Sequence, residues 1–252
     1  MSKCPLRIVV LSFLFTSSIR AQVIRSYEGV DRNAVDGRFA QAELSFDGRA
    51  GNADYLDLRL TAGLSYRVPT PGHWLRFYPA VQIRRSEKQS VVREWSMHLR
   101  HSYRFSDETR TYAFVQVQSD RSIDLDLRSL YGGGLRRQIV PLKDGSVDIG
   151  VGLMLEHENL ASGETGTSLR GANLLSARGG AGIVRLLATG FYQPVMSNLG
   201  DYRVSAEAEV EIPVFDQLRF VVSGSWRRDS RPPPDIEADD VQFGLSIRFS
   251  TQ

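Results

Sequence analysis

Four histidines are the side chains best suited to acid–base or ligand chemistry: His73, His98, His101 and His157. His157 stands in the tripeptide Glu156-His157-Glu158, and an imidazole flanked by carboxylates is the strongest candidate for a base or ligand. His73 falls in a tight Pro71-Gly72-His73 turn. His101 shares the parity of Trp95, Met97, Leu99 and Tyr103, while His98 has the opposite parity, among arginines. The sequence holds no Gly-x-Ser-x-Gly elbow, no His-Glu-x-x-His pair and no phosphate-binding Gly-x-x-x-x-Gly-Lys-Ser/Thr loop. The run SGETGTS (162–168) is glycine-rich but has no lysine. The acidic PDIEADD (234–240) presents Asp235, Glu237 and Asp239 as possible calcium ligands, although a solvated loop of carboxylates is the simpler reading. No catalytic residue, metal site or cofactor is assigned, and the chain is not expected to be an enzyme.

The more systematic charge pattern has a period of two. Arg59, Arg67, Arg76, Arg84, Arg100, Arg104, Arg128 and Arg136 fall on the wet parity of their segments, and VSAEAEVEI places Glu207, Glu209 and Glu211 opposite Val204, Ala206, Ala208, Val210 and Ile212. YLDLRLTAGLSYRV (55–68) sets Leu56, Leu58, Leu60, Ala62, Leu64, Tyr66 and Val68 against Asp57, Arg59, Thr61, Gly63, Ser65 and Arg67. Such alternation predicts strands with one oily and one wet face.

The elements that must carry these charges are twelve strands, expected at 38–48, 54–68, 74–85, 91–106, 110–119, 124–138, 146–157, 173–184, 187–194, 201–213, 217–228 and 239–249. Several run 11 to 16 residues, whereas a soluble strand averages about 5 to 6 and a tilted strand crossing a bilayer needs about 9 to 11. Tight connections such as PTPGH, SDET and VFDQ trade places with longer ones such as HENLASGETGTSLRGAN and SRPPPDIEADD, as periplasmic turns and outer loops do in outer-membrane barrels. Tyr66, Trp74, Phe77, Tyr103, Phe105, Trp226 and Phe249 gather near strand ends, where interfacial girdles form. The fold class predicted is all-β: a transmembrane antiparallel up-and-down β-barrel of about twelve strands. Arginine on so many wet faces then requires a watered or ion-paired lumen. A soluble lipocalin-like periplasmic binder has the same alternation with the oily face inward, and stands as the alternative without a membrane.

The first residues differ in character. Lys3 and Arg7 precede the apolar run Ile8–Phe15 and small residues up to Ala21, which is the layout of a cleavable signal peptide over 1–21. A polar segment (22–37), the barrel (38–249) and a tail (250–252) complete the organisation. Cleavage removes Lys3, Arg7 and Arg20 and takes the formal charge from +2 to −1. It also removes Cys4, the sole cysteine, so no disulfide is available to the exported chain. Nothing in this balance suggests a nucleic-acid partner. The expected partners are outer-membrane lipids, the barrel-assembly machinery of the Gram-negative envelope and small polar solutes.

FYQPVMSNLGDYRV (191–204) and RRDSRPPPDIEADDVQFGLSIRF (227–249) resemble the salt-induced outer membrane protein family, through the aromatic-Tyr-Gln-Pro element, the Asp201-Tyr202-Arg203 strand entry and the Asp-Ser-x-Pro-Pro loop. SFDGRAGNADYLDLRLTAGLSYRV (45–68) and LRSLYGGGLRRQ (127–138) add weaker likeness. The resemblance implies an outer-membrane β-barrel and carries over no catalytic residue. Two features depart from expectation: IVRLLA (183–188) has no turn-forming residue between the eighth and ninth strands, and Phe249 is followed by Ser-Thr-Gln rather than ending the chain.

Function is therefore sought in the lumen. The residues expected to line it are Arg59, Arg67, Arg76, Arg84, Arg100, Arg128, Glu207, Glu209, Glu211 and Arg219. Pairing Ile212 with Leu218 across the PVFDQ turn sets Glu211 against Arg219 and leaves Glu207 and Glu209 to find partners elsewhere. An acidic wall facing a basic one serves either as a stiffening plug or as a narrow pore for small polar solutes or ions, and a twelve-strand barrel lies between filled and open sizes. The enzymatic alternative is a lipase- or deacylase-type protein acting on outer-membrane lipids through His157.

Overall fold

The computed structural model describes residues 38–49, 55–68, 70–86, 89–121, 124–232 and 237–250. The segments expected to be the signal peptide (1–21) and polar leader (22–37) lie outside them. Thirteen strands follow one another: β1 Arg38–Arg49, β2 Tyr55–Arg67, β3 His73–Ser86, β4 Gln89–Arg104, β5 Thr109–Asp120, β6 Leu125–Leu142 and β7 Gly145–Leu160. They continue as β8 Thr165–Gly171, β9 Asn173–Ala181, β10 Val184–Val195, β11 Asn198–Pro213, β12 Leu218–Asp229 and β13 Asp239–Ser250. β8 and β9 both pair with β7 on one side and with β10 on the other, interrupted only at Ala172, so they form one bent stave. Neighbouring staves are antiparallel, and β13 pairs with β1, for example Ala42 with Phe249. The result is a closed, up-and-down, twelve-stave β-barrel without a free edge.

The eighth stave corrects the expected strand limits. It begins at Thr165 rather than at residue 173, so most of HENLASGETGTSLRGAN is barrel wall and the connection from β7 shrinks to 161–164. Glycines and hydroxyl residues hide the alternation there: Leu169 is exposed on the outside while Arg170 is buried inside. The turn missing from IVRLLA falls at its very start, at Gly182-Ile183, with Gly182 at φ 61°. A positive φ at the first of two central residues, with none at the second, suits a type II′ hairpin, and glycine reaches it without steric cost.

Accessibility settles which solvent the oily face meets. Leu60, Leu64, Val151, Leu153, Leu175, Leu245 and Ile247 point outward and are about half exposed. A girdle of this size is far larger than a soluble protein's usual apolar patch of a few hundred Å², and it matches the lipid-facing band of a membrane barrel. The lipocalin-like arrangement, with apolar residues inside and charges outside, is reversed here. Tyr66, Tyr103, Phe105 and Phe249 stand on the outer face at the end carrying the tighter turns, with Trp226 toward the opposite end. Trp74 departs from the expected girdle: it pairs with Arg67 and with the buried Ser102 and so shares the lumen parity.

Candidate functional site in the barrel lumen

The inward side chains divide the lumen into a dry side and a wetted side. On β5 to β10, Phe114, Leu130, Met154, Ala172, Leu174 and Phe191 pack together inside the barrel, with Tyr112 against them. Gly132 makes the cluster possible, since a Cβ there would lie 2.6 Å from the Phe114 ring and 2.8 Å from Met154. Beside this cluster His98 is fully buried, its ring stacked on Phe114 at a centroid distance of 5.3 Å and its Nδ1 donating to the Gln116 carbonyl oxygen at 2.9 Å. This apolar inner wall was not legible beforehand, because Leu130, Met154 and Phe191 interrupt otherwise polar or glycine-rich inward rows.

Toward the loop end the dry side is sealed by ion pairs centred on Glu156, which is 2% exposed. Arg170 Nε donates to Glu156 Oε1 at 2.6 Å, Arg203 binds the other oxygen, and Arg128 approaches to 3.5 Å. The arginines have further partners: Glu158 for Arg128, Asp229 at 2.8 Å and Glu158 at 3.1 Å for Arg203, and Asp201 at 3.2 Å for Arg170. Three guanidinium groups thus share four carboxylates, the satisfaction that buried charges require. Of these residues only Arg128 was expected among the lumen-lining set.

The wetted side runs along β11, β12, β13, β1 and β2, opposite the apolar cluster. Arg248 binds Glu43 at 2.7 Å, Glu209 at 2.9 Å and Glu211 closely; Arg219 Nε lies 3.9 Å from Glu211, and Arg227 lies 3.8 Å from Glu207. The four carboxylate side chains are 13% to 23% exposed, whereas Arg219, Arg227 and Arg248 are 3% to 8% exposed. On this wall the carboxylates therefore face the lumen more openly than the arginines that pair with them. Arg59, 19% exposed and 3.0 Å from Glu94, borders this region toward the loop end. The register differs from expectation by two residues: Ile212 pairs with Phe220, so Glu211 faces Val221, Glu209 faces Ser223 and Glu207 faces Ser225. Four residues, Val214–Gln217, make the turn, and Pro213 pairs with Arg219. The partner that Glu209 lacked across the hairpin is Arg248, one strand farther on.

A third region lies at the turn end of β2 to β9. Arg76 pairs directly with Arg100, Arg104 with Arg110, and Arg110 with Arg136. Arg67 and Arg104 lie over the Trp74 ring at 5.8 Å and 4.9 Å, and Arg100 over Tyr112 at 5.4 Å. Fully buried Asp148 is reached by Arg136 at 3.2 Å, Arg178 at 3.7 Å and Arg110 at 4.0 Å. Arg84 occupies β3 opposite Val91, and its side chain lies outside the described residues.

The histidines are not brought together with these charges as a catalytic group. His157 has the outward parity of Leu153 and Leu155 and contacts Thr167 Oγ1 at 2.8 Å, while Glu156 and Glu158 turn inward away from it. His73 and His101 meet at 3.0 Å on the outer face beside Tyr103. Among the described residues no three His, Cys, Asp or Glu side chains converge as a metal site, and Asp235, proposed for calcium from the sequence, lies outside the described residues.

Closure, stave number and the outward apolar band define the molecule as a β-barrel of the outer-membrane class. The chain belongs to the family described as "Protein of unknown function, DUF481", whose model matches residues 42–250. It is similar in fold to an outer membrane channel from Pseudomonas putida F1, at 10% identity and TM-score 0.54, covering 90% of this chain and 99% of that one. It is likewise similar to the NanC porin, at 7% identity and TM-score 0.52, covering 84% and 98%. No curated protein matches the chain.

Proposed function

We propose that this protein is a narrow outer-membrane pore for small polar solutes or ions, with its water path along β11 to β2 and its β5 to β10 side closed by packing. The observation carrying this reading is the unequal exposure of these inward side chains: Glu207 at 20% and Glu209 at 23%, against 5% for Arg248 and 3% for Glu156. A partly wetted acidic face attracts cations, while the basic groups on β2 to β6 set a transverse field that orients dipolar solutes. The fold shared with a channel and a porin supports passage over catalysis, and the resemblance to salt-induced outer membrane proteins agrees with a role in the envelope. No chemical step is assigned: His157 faces the lipid side with a hydroxyl partner and no carboxylate. Export through the 1–21 signal peptide, insertion by the barrel-assembly machinery and contact with outer-membrane lipids belong to the same reading. Reconstitution in a planar bilayer tests it. The reading predicts small, steady, cation-preferring conductance, and a sealed membrane at every holding potential would leave a purely structural barrel instead.

A further inference from the structure

The outer face carries a pair of side chains whose chemistry neither the lipid band nor the lumen uses. An interfacial girdle is served by aromatic rings with at most one polar tip, yet at the turn end of β3 and β4 two imidazoles stand side by side. His73 pairs with Tyr103 and Leu75 with His101, so the two histidines are diagonal neighbours on one outward face, a separation that ring side chains span. His73 Nδ1 and His101 Nε2 lie 3.0 Å apart. The backbone fixes this approach: Arg104 N–H donates to the Gly72 carbonyl at 2.8 Å, and Val68 N–H donates to the His73 carbonyl at 3.1 Å. Tyr103 packs on the His73 ring at a centroid distance of 4.6 Å. It fits there because Gly72, at φ 82°, has no Cβ, which would lie 3.3 Å from the Tyr103 ring.

Each neutral imidazole offers one lone pair, and histidine is the commonest metal ligand. With metal–imidazole bonds of about 2.0 to 2.1 Å, nitrogens at this separation subtend about 91° to 97° at a shared ion. That is the cis angle of a tetragonal site, which suits Cu²⁺ or Ni²⁺ rather than tetrahedral Zn²⁺. Among the described residues no third His, Cys, Asp or Glu joins the pair. The other coordination positions fall to water, which the exposed His101 admits. We propose that His73 and His101 form a two-imidazole chelate for a divalent first-row metal of tetragonal preference, with Cu²⁺ bound most tightly. The ion takes the place of the proton shared by the two nitrogens, that proton moving to the other nitrogen of its own ring, and pins β3 to β4 at the turn-end rim. The site lies outside the lumen, so it stands whether or not the barrel conducts.

The test uses the full, tag-free protein in detergent micelles, titrated with Cu²⁺ by calorimetry, with Mg²⁺ as the control cation. One saturable Cu²⁺ site is expected, and the copper EPR spectrum should show coupling to two imidazole nitrogens. His73→Ala and His101→Ala should each weaken Cu²⁺ binding at least tenfold, a loss of about 1.4 kcal/mol, while His157→Ala leaves it within twofold. Should either rim variant fail to fold, the EPR spectrum of the unmodified protein decides alone. A response to Cu²⁺ no different from that to Mg²⁺, a loss below tenfold in both folded rim variants, or fewer than two coupled imidazole nitrogens would overturn the proposal.

Discussion

Removing Glu156 should cost this barrel far more than removing a carboxylate of the wetted side. The side chain is 3% exposed and accepts from Arg170 at 2.6 Å and from Arg203, with Arg128 3.5 Å away. In Glu156→Ala the three guanidinium groups keep Glu158, Asp229 and Asp201, but they lose the carboxylate they all share. Breaking a buried pair by deleting one partner costs about 3 to 5 kcal/mol, and the surviving partners place this case near about 3. Glu156→Gln keeps an acceptor oxygen while losing the charge, and should cost about 1.5 to 3 kcal/mol. On the wetted side Glu207→Gln should cost less than Glu156→Gln, because Glu207 is 20% exposed and its 3.8 Å contact with Arg227 is longer than the contacts Glu156 makes. Urea unfolding of the barrel in lipid vesicles reads all three, provided the m-value is unchanged. The reasoning fails if Glu156→Ala costs less than about 1 kcal/mol or if Glu156 and Glu207 variants lose equal stability, since both results require a uniformly hydrated lumen.

Further consequences follow from the same division of the barrel. Phe114→Ala should lose about 3 to 5 kcal/mol in the same unfolding assay, as truncation of an aromatic in a dry core does; a loss typical of a solvated residue would mean that the inner apolar cluster is wet. Gly132→Val should prevent folding, read as failure to acquire heat-modifiable electrophoretic migration, because a Cβ there meets Phe114 and Met154 at less than 3 Å. Val151→Arg, on the outer face midway along β7, should cost about 2 to 4 kcal/mol in vesicles, the penalty for a cation at the bilayer midplane. A negligible cost at that position would place the band outside lipid.

The alternation of segments such as 55–68 and 241–249 made the barrel legible from sequence because its two faces meet lipid and lumen, and a period of two survives wherever those solvents differ. It failed at 165–171, where Thr165, Gly166, Thr167 and Gly171 carry too little apolar contrast to mark a wall strand. The two-residue register error at Pro213–Arg219 had a physical cause too: either register places Glu207, Glu209 and Glu211 inside, so face pattern alone cannot choose between them. The charged residues of the lumen could be named individually, but their partners could not. Arg248 joins Glu43 from a segment 205 positions earlier, and such a pair is set by closure of β13 on β1. The dry inner cluster was illegible for another reason. Phe114, Leu130, Met154 and Phe191 are single inward residues on separate strands, and only the ring of staves gathers them.

The central claim is that lumen water meets carboxylates on one wall of a narrow path. Ion selectivity of the purified barrel in a planar bilayer under a salt gradient tests it most directly, comparing the wild type with Glu207→Gln plus Glu209→Gln. The account predicts a cation-preferring reversal potential that moves toward zero in the double variant, with both proteins equally folded. An absence of conductance, or a reversal potential that is unchanged when both carboxylates are neutralised, would contradict it.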